Sequence, residues 1–201
     1  PQMTLDTFIA LATLAFIAAW TPGPNNLMLA SSGVNFGFWR TLPHMMGVTF
    51  GFPVMIFLVA MGIGALIVAS PIAREAMRWG GAALLVWFAW RIATAGRAEA
   101  DGRSRPLTFF EAAGFQWINP KGWAMALATT AQFVTGGTII IESLLCALAY
   151  TMAGLGSSVV WAGAGVQLRR FLSNDARLRV FNIVMGVLIA SFVVFLFRDE
   201  F

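Results

Sequence analysis

Charged residues are scarce in this chain of 201 residues: they make up 11% of it, whereas hydrophobic residues make up 59%. A soluble domain carries roughly 25% charged residues, so this chain lacks the polar side chains needed to coat a globule. The surplus apolar surface must face lipid, and the composition therefore excludes soluble, disordered and fibrous proteins. Eighteen Phe and eight Trp are typical of an integral membrane protein.

Cysteine and histidine are almost absent, with Cys146 and His44 the single residues of each type. One cysteine cannot form an internal disulfide, and one cysteine with one histidine cannot build a Cys/His metal cluster. We therefore expect no metal and no cofactor, which argues against a metal-dependent hydrolase. The net charge of +4 arises from scattered loop residues. Without a dense basic run, the sequence does not indicate a nucleic-acid partner.

Long apolar runs define the fold class. A spanning helix needs about 20 apolar residues, and six such segments lie at residues 4–31, 42–69, 72–95, 110–134, 138–167 and 178–197. Residues 32–41 form a polar connection between the first two. The sequence predicts an all-α integral membrane protein with six transmembrane helices in a single membrane domain. Residues 1–95 and 110–201 each supply a three-helix repeat, and residues 96–109 form a charged cytoplasmic linker.

The arginines predict the orientation, because Lys and Arg favour the cytoplasmic side of a membrane. With the N-terminus outside, nine arginines fall in inner loops and three on the outer side. The inner ones are Arg40, Arg91, Arg97, Arg103, Arg105, Arg169, Arg170, Arg177 and Arg179, and the outer ones are Arg74, Arg78 and Arg198. We therefore predict a multi-pass protein of the bacterial cytoplasmic (inner) membrane with both termini outside. Three helices per repeat give the two repeats inverted orientations.

Helices 1 and 4 are interrupted at Pro-containing breaks. The interrupting residues are Pro22, Gly23 and Pro24 in helix 1 and Pro120 and Gly122 in helix 4. Each proline removes a backbone donor and clashes with the carbonyl one turn back, so both helices should unwind or kink. Paired interruptions of this kind indicate a transporter site near the bilayer midplane.

Polar side chains at the two breaks are the candidate substrate-binding residues: Asn25, Asn26, Gln116, Asn119 and Lys121. Carboxamides can donate to a carboxylate or accept from an ammonium group, as a zwitterion requires. Lys121 lies about ten residues inside a predicted span, deeper than any arginine, where an ammonium costs at least ~2.5–3.5 kcal/mol to bury. In the alternative interpretation, Lys121 reaches an interface or pairs with a helix carbonyl, and the first break merely kinks a packed helix.

Two acidic residues, Glu111 and Glu142, are the candidates for proton coupling. Both lie in the first turns of predicted helices, where the helix dipole favours a negative charge. They are therefore also explained as helix caps or interface residues, and the sequence does not choose between them.

Most other polar and small residues are interpreted structurally. We expect glycine pairs to allow close helix packing, namely Gly33 with Gly37, Gly47 with Gly51, and Gly62 with Gly64. His44 is expected at a membrane interface. Asn182 is expected to tie the sixth helix to a neighbour, and Ser157 and Ser158 either pack or line the path of the solute.

The motif residues resemble those of the lysine exporter (LysE/RhtB) superfamily over nearly the whole chain. They are Thr21-Pro22-Gly23-Pro24-Asn25, a Gly-rich second segment from Gly47, and Asn119-Pro120-Lys121 with an apolar run ending at Gln132-Phe133-Val134. The resemblance implies an inner-membrane exporter of amino acids or their derivatives, coupled to the proton gradient, with these motif positions at its site. Many members of the superfamily carry Asp where this chain has Asn25.

The leading hypothesis is a secondary exporter that exposes its central site alternately to the two sides of the membrane. Its partners are a small amino-acid substrate, the proton and membrane lipid. A passive channel or a structural membrane subunit is the alternative. An intramembrane enzyme is less favoured, because a nucleophilic serine needs a base and the one histidine lies at a helix end. The amino acid transported, and whether the protein is a monomer or a homodimer, stay open.

Overall fold

The computed structural model describes residues 3–95, 105–172 and 174–197, and every regular element in these ranges is helical. Its α-helices are α1 (Leu5–Trp20), α2 (Pro24–Phe36), α3 (Phe38–Leu58), α4 (Gly64–Ala69), α5 (Pro71–Ala93), α6 (Phe109–Phe115), α7 (Pro120–Phe133), α8 (Ile139–Arg169), α9 (Asp175–Ser191) and α10 (Val193–Leu196). A π-helical turn, Val59–Ile63, joins α3 to α4, and a 3-10 turn, Gln116–Ile118, precedes α7. Arg97, Arg103 and Arg198, and residues 96–104 of the expected linker, lie outside the described residues.

Three helical segments are long and apolar enough to cross a membrane: Phe38–Ala69, Ile139–Arg169 and Asp175–Leu196. A fourth is formed if α1 and α2, which are bent by 52° at their junction, are taken together. Large apolar side chains such as Leu66, Ile141 and Val187 are exposed on these helices, as lipid-facing residues are. The described residues thus form an all-helical membrane protein, in agreement with the sequence.

The first predicted break separates α1 from α2. Helix α1 ends at Trp20 and α2 begins with Pro24 at its first position, where a missing N–H is of no consequence. The Asn26 Nδ2 donates to the carbonyls of Ala19 and Thr21 at 2.8 and 2.9 Å. These carbonyls belong to the end of α1, which lacks intrahelical partners, so Asn26 holds the two half-helices together.

The second predicted break separates α6 from α7 and has the same design. After the 3-10 turn, α7 begins with Pro120 at its first position, as α2 begins with Pro24. The Asn119 Oδ1 accepts a hydrogen bond from the Lys121 N–H at 3.2 Å and caps α7. Both interruptions expected from the prolines are confirmed.

Gly37 and Gly62 are explained by their backbone conformation and not by close helix packing, which corrects the expectation for these two glycines. The polar connection expected at 32–41 is nearly all helical: α2 continues to Phe36 and α3 begins at Phe38. The chain turns between them at Gly37, which has φ of 79°. Gly62 has φ of 108° within the π-helical turn, and a Cβ there would meet nothing within 4 Å. Positive φ is accessible to glycine at little steric cost, so conformation explains these two residues.

Helix α8 forms the centre of the bundle and packs against α1, α2 and α3. At its crossing with α2, the backbones touch where Gly33 faces the Ala162 carbonyl and Gly165 faces the Ala30 carbonyl. Gly47 and Gly51 similarly bring α3 onto α6, which confirms close packing at these glycines. Because α1 lies on α8 and α6 lies on α3, this packing positions both breaks within the core of the bundle.

Candidate functional site

The two breaks meet at a small central cavity of about 70 Å³. All five polar residues expected to bind substrate line it: Asn25, Asn26, Gln116, Asn119 and Lys121. Of the residues expected to break the helices, Gly23, Pro24 and Gly122 also line it. Pro22 is exposed between α1 and α2, and Pro120 is buried and faces a neighbouring apolar cavity. The structure therefore brings together residues nearly one hundred positions apart in the chain.

Lys121 crosses from one break to the other. Its Nζ donates to the Thr21 carbonyl at 2.6 Å. Lys121 lies in the first turn of α7, whose dipole disfavours a cation, whereas Thr21 caps the C-terminal end of α1, whose dipole favours one. Pairing with a carbonyl, the alternative raised by the sequence, is thus observed, and the same side chain also lines the cavity.

Lys121 also separates the central cavity from a larger apolar one. The second space measures about 600 Å³ and is lined mainly by apolar residues such as Met77 and Trp123, together with Arg74 and Arg78. Lys121 lines both spaces. Its aliphatic chain lies over Gly23, where a Cβ would come within 2.7 Å of the Lys121 Cδ. A glycine at position 23 is therefore what lets the lysine reach Thr21.

Asn25 and Gln116 form a reciprocal amide pair across the cavity. The Asn25 Nδ2 donates to the Gln116 Oε1 at 2.8 Å, and the Gln116 Nε2 donates back to the Asn25 Oδ1 at 3.2 Å. The Gln116 Nε2 also donates to the Ala112 carbonyl at 2.8 Å. Gln116 is therefore fixed in place by α6, whereas Asn25 is only half-buried and retains a second N–H.

Several cavity residues were not among the sequence candidates for the site, including Thr49, Phe52, Met125 and Tyr150. The Tyr150 hydroxyl lies 2.9 Å from the Thr129 Oγ1, and the Tyr150 ring meets Phe52 edge to face. Tyr150 is the single tyrosine of a chain with eighteen phenylalanines, and this contrast was the one signal that could have singled it out.

Ser157 and Ser158 of α8 face the central cavity. The Ser157 Oγ donates to the Ala19 carbonyl at 2.7 Å, and the Ser158 Oγ lies 3.1 Å from the Thr49 Oγ1. Both residues line the central cavity. The choice that the sequence left open between packing and lining is thus resolved, because each serine does both.

Neither candidate for proton coupling lines the central cavity. Arg105 binds the Glu111 carboxylate through two hydrogen bonds of 2.6 and 2.7 Å, and Glu111 completes a capping box with Thr108. The bond to Glu111 raises the pKa of the Arg105 guanidinium. Glu142 is buried and accepts from the N–H groups of Thr135 and Gly136 at 2.9 and 3.3 Å. Both glutamates therefore cap local turns.

His44 is buried within the protein, which its expected place at a membrane interface did not indicate. The turn at Gly37 folds α3 back along α2 and leaves the His44 side chain 1% exposed, with its Nδ1 3.0 Å from the Ser32 Oγ. Asn182 pairs with Asn35 on α2 at 2.9 and 3.0 Å, as expected of a residue that ties the last helix to a neighbour.

Among the described residues, no three His, Cys, Asp or Glu side chains are grouped to hold a metal.

Two broken helices that enclose a polar cavity inside a helical membrane bundle define a membrane transporter. The chain matches the LysE type translocator family over residues 16–200 and belongs to that family. It is therefore a multi-pass membrane transporter and not an enzyme.

Related efflux proteins cover nearly the whole chain. The cysteine/O-acetylserine efflux protein of Escherichia coli strain K12 is 31% identical over 196 residues, which is 97% of this chain and 100% of the relative. The protein of the same description from Shigella sonnei strain Ss046 matches equally. That of Escherichia coli O157:H7 is 31% identical over 188 residues, or 93% of this chain and 95% of the relative. No solved structure matches the chain.

Proposed function

We propose that this transporter exports small amino acids or their derivatives from the cytoplasm, as a secondary transporter that works by alternating access. The observation that carries the proposal is that Lys121 lines the cavity between the two breaks and donates to the Thr21 carbonyl at its edge. This pair offers one cation and one acceptor, which suit the two ends of a zwitterion. The substrates named for the related efflux proteins, cysteine and O-acetylserine, are small zwitterions of this kind.

Binding exchanges one set of partners for another. A substrate carboxylate takes the Lys121 ammonium from the Thr21 carbonyl, since hydrogen bonds between charged groups are roughly twice as strong as neutral ones. The Thr21 carbonyl keeps its bond from Asn26, and its second lone pair then faces the substrate ammonium group together with the Asn25 amide oxygen. The exchange gives the Lys121 ammonium and both charged ends of the substrate a partner, since an unpaired charge is costly to bury.

Alternating access follows from two inverted three-helix repeats, residues 1–95 and 110–201, with residues 96–109 as the linker. In this proposal α5 and the α6–α7 pair complete six spans, since the 23 residues of α5 extend about 34 Å at 1.5 Å per residue. The matched positions of Pro24 and Pro120 support the repeat, as does the packing of α1 on α8 and α6 on α3. Rocking one repeat against the other would expose the site to each side in turn.

We also propose that both termini lie outside and that export is coupled to protons, with Glu111 and Glu142 as the candidate coupling residues. Replacing Glu111 or Glu142 by Gln keeps the size of the side chain and removes its charge. In proteoliposomes, an imposed pH gradient should drive accumulation by the wild type. It should fail to do so in the variant that has lost the coupling carboxylate, while exchange without a gradient continues.

The decisive experiment measures efflux of labelled O-acetylserine and cysteine from preloaded proteoliposomes. Lys121→Met keeps the length of the side chain and removes its charge, so we expect efflux to fall about 10- to 100-fold, which corresponds to the loss of a charged hydrogen bond. Arg179→Met is the matched control, because it removes an exposed cation of α9 that lines none of the described cavities.

Three results would contradict the proposal. Efflux no faster than from protein-free vesicles, over a panel of amino acids, would rule out export. Full activity of Lys121→Met would remove this lysine from the site. Flux that rises linearly with the gradient, without saturation or counterflow, would identify a passive channel.

A further inference from the structure

A second polar cavity lies along α2, away from the breaks. It measures about 70 Å³, enough for a carboxylate group, and its polar lining residues are Ser31, Ser32, Asn35, His44, Arg91 and Arg105. Four of these, Ser31, Ser32, Asn35 and His44, are buried. A buried surface of this polarity inside an apolar bundle is costly unless its groups are satisfied.

Two of the buried polar groups in this cavity have no hydrogen-bond partner among the described residues. They are the Ser31 Oγ and the His44 Nε2, and both side chains are 1% exposed. When the Ser32 hydroxyl donates to the His44 Nδ1, the Nε2 carries the ring proton and is a donor. Most buried polar atoms in proteins are paired, so these two groups are available to a ligand in the cavity.

The charge of the second cavity selects an anion. Its described lining contains two arginines and no acidic residue. Glu111 engages Arg105. Among the described residues, Arg91 makes one hydrogen bond, of 3.2 Å, from its Nη2 to the Arg105 carbonyl, and its guanidinium lies 4.9 Å from the Trp87 ring centre. The guanidinium has five N–H donors, so Arg91 keeps donors for a carboxylate.

We infer that the second polar cavity is a further solute site, which binds the carboxylate of the exported amino acid through Arg91, Ser31 and His44. The inference rests on the proposed function. Helix α2 connects this site with the central cavity, because Asn25 and Ser32 are seven residues apart, about 10 Å along the axis. The arginine side of the protein, predicted to be cytoplasmic, then receives the solute before Lys121 does.

The test measures the melting temperature of the purified full-length protein in detergent with O-acetylserine as the probe, because a bound ligand raises the melting temperature. Lys121→Met disables the central site, yet we expect this variant to retain an O-acetylserine-dependent rise. Adding Arg91→Gln to Lys121→Met should abolish it. Adding Arg179→Gln, which removes an exposed cation on α9, should leave it intact.

Ser31→Ala separates binding from folding. Because the Ser31 hydroxyl has no partner among the described residues, its removal should leave the melting temperature of the ligand-free protein unchanged or higher. The KM for O-acetylserine export should rise about tenfold in Arg91→Gln and rise in Ser31→Ala, with kcat less affected. A purely structural role for Ser31 would lower the melting temperature and leave KM unchanged.

Each contrary outcome overturns a different statement. Loss of the whole ligand-dependent rise in Lys121→Met, or an unchanged KM in Arg91→Gln, overturns the second site but not export. An equal rise with acetate or chloride in Lys121→Met shows a site for simple anions and overturns its assignment to an amino acid. A wild-type protein that neither transports nor is stabilised by the amino-acid panel overturns the proposed function itself.

Discussion

Gly23 and Lys121 fit together as a single unit at the residue scale. The lysine chain crosses the glycine to reach the Thr21 carbonyl, and no room is left for a side chain at position 23. The contact with Thr21 therefore needs both the charge of Lys121 and the absence of a Cβ at Gly23. Substituting either residue should disturb the same hydrogen bond.

Gly23→Ala tests this unit. Its Cβ would approach the Lys121 Cδ at 2.7 Å, so the lysine must shift from the Thr21 carbonyl, and we expect efflux to fall by roughly tenfold or more, since ångström-scale misplacement is costly in a precise site. The backbone at Gly23 is extended and accepts alanine without strain.

The control for Gly23→Ala is Gly114→Ala, because a Cβ at position 114 meets nothing within 4 Å. Normal efflux by Gly23→Ala in proteoliposomes, with both variants folded, would show that the Lys121–Thr21 contact is not needed.

Sequence reasoning finds Lys121 because a cation in an apolar run is conspicuous. It does not find the Thr21 carbonyl as the partner, since every residue has a carbonyl and only the fold orients this one. It also does not predict that His44 is buried, because this burial depends on the turn at Gly37 rather than on its neighbours in the sequence.

At the element scale, the two helix breaks were predictable from the sequence, whereas the two glycines with positive φ, Gly37 and Gly62, were not. Proline changes the backbone wherever it stands, so Pro24 and Pro120 mark the starts of α2 and α7 directly. Glycine is compatible with a packed helix face and with positive φ alike. Gly37 and Gly62 could therefore not be distinguished from Gly33 and Gly47 until tertiary contacts were known.

The crossing of α2 and α8 gives a prediction about stability. A Cβ at Gly165 would collide with the Ala30 backbone, which cannot move without displacing the half-helix that carries Asn25. We expect Gly165→Ala to destabilise the protein by about 1–3 kcal/mol, as overpacking does. The measurement is the apparent melting temperature in detergent.

Gly163→Ala is the matched control for Gly165→Ala. It lies in the same helix, two residues earlier, where a Cβ meets nothing within 4 Å, and alanine favours a helix over glycine by about 1 kcal/mol. The melting temperature should therefore stay equal or rise. Equal melting temperatures for the two variants would refute the close approach of α2 and α8.

On the scale of the whole molecule, amide pairs join the two halves of the chain at two levels. Asn25 and Gln116 pair at the central cavity, and Asn35 and Asn182 pair farther along α2. The Asn182 Nδ2 also donates to the Ala95 carbonyl at 2.8 Å. Helix α2 thus contacts the second half at both levels, so movement of one half against the other must rearrange or carry these pairs.

Cysteine labelling tests the orientation. Cys146 is the one cysteine and is buried, so Cys146→Ala provides a background for single cysteines at exposed positions. With both termini outside, a membrane-impermeant thiol reagent should label Gly137→Cys in intact cells and should label Arg40→Cys only after permeabilisation. The reverse pattern would invert the proposed topology, and the parent without cysteine is the control for unspecific labelling.

The position of Lys121 between the two cavities bears on how well the empty transporter keeps solutes and ions from leaking across the membrane. A carrier that stands open when empty would leak metabolites and ions across the membrane. Here the ammonium that receives the solute also rests on the Thr21 carbonyl between the two cavities. We therefore expect a substitution of Lys121 to change both properties together: a variant with lower affinity for the solute should also leak more.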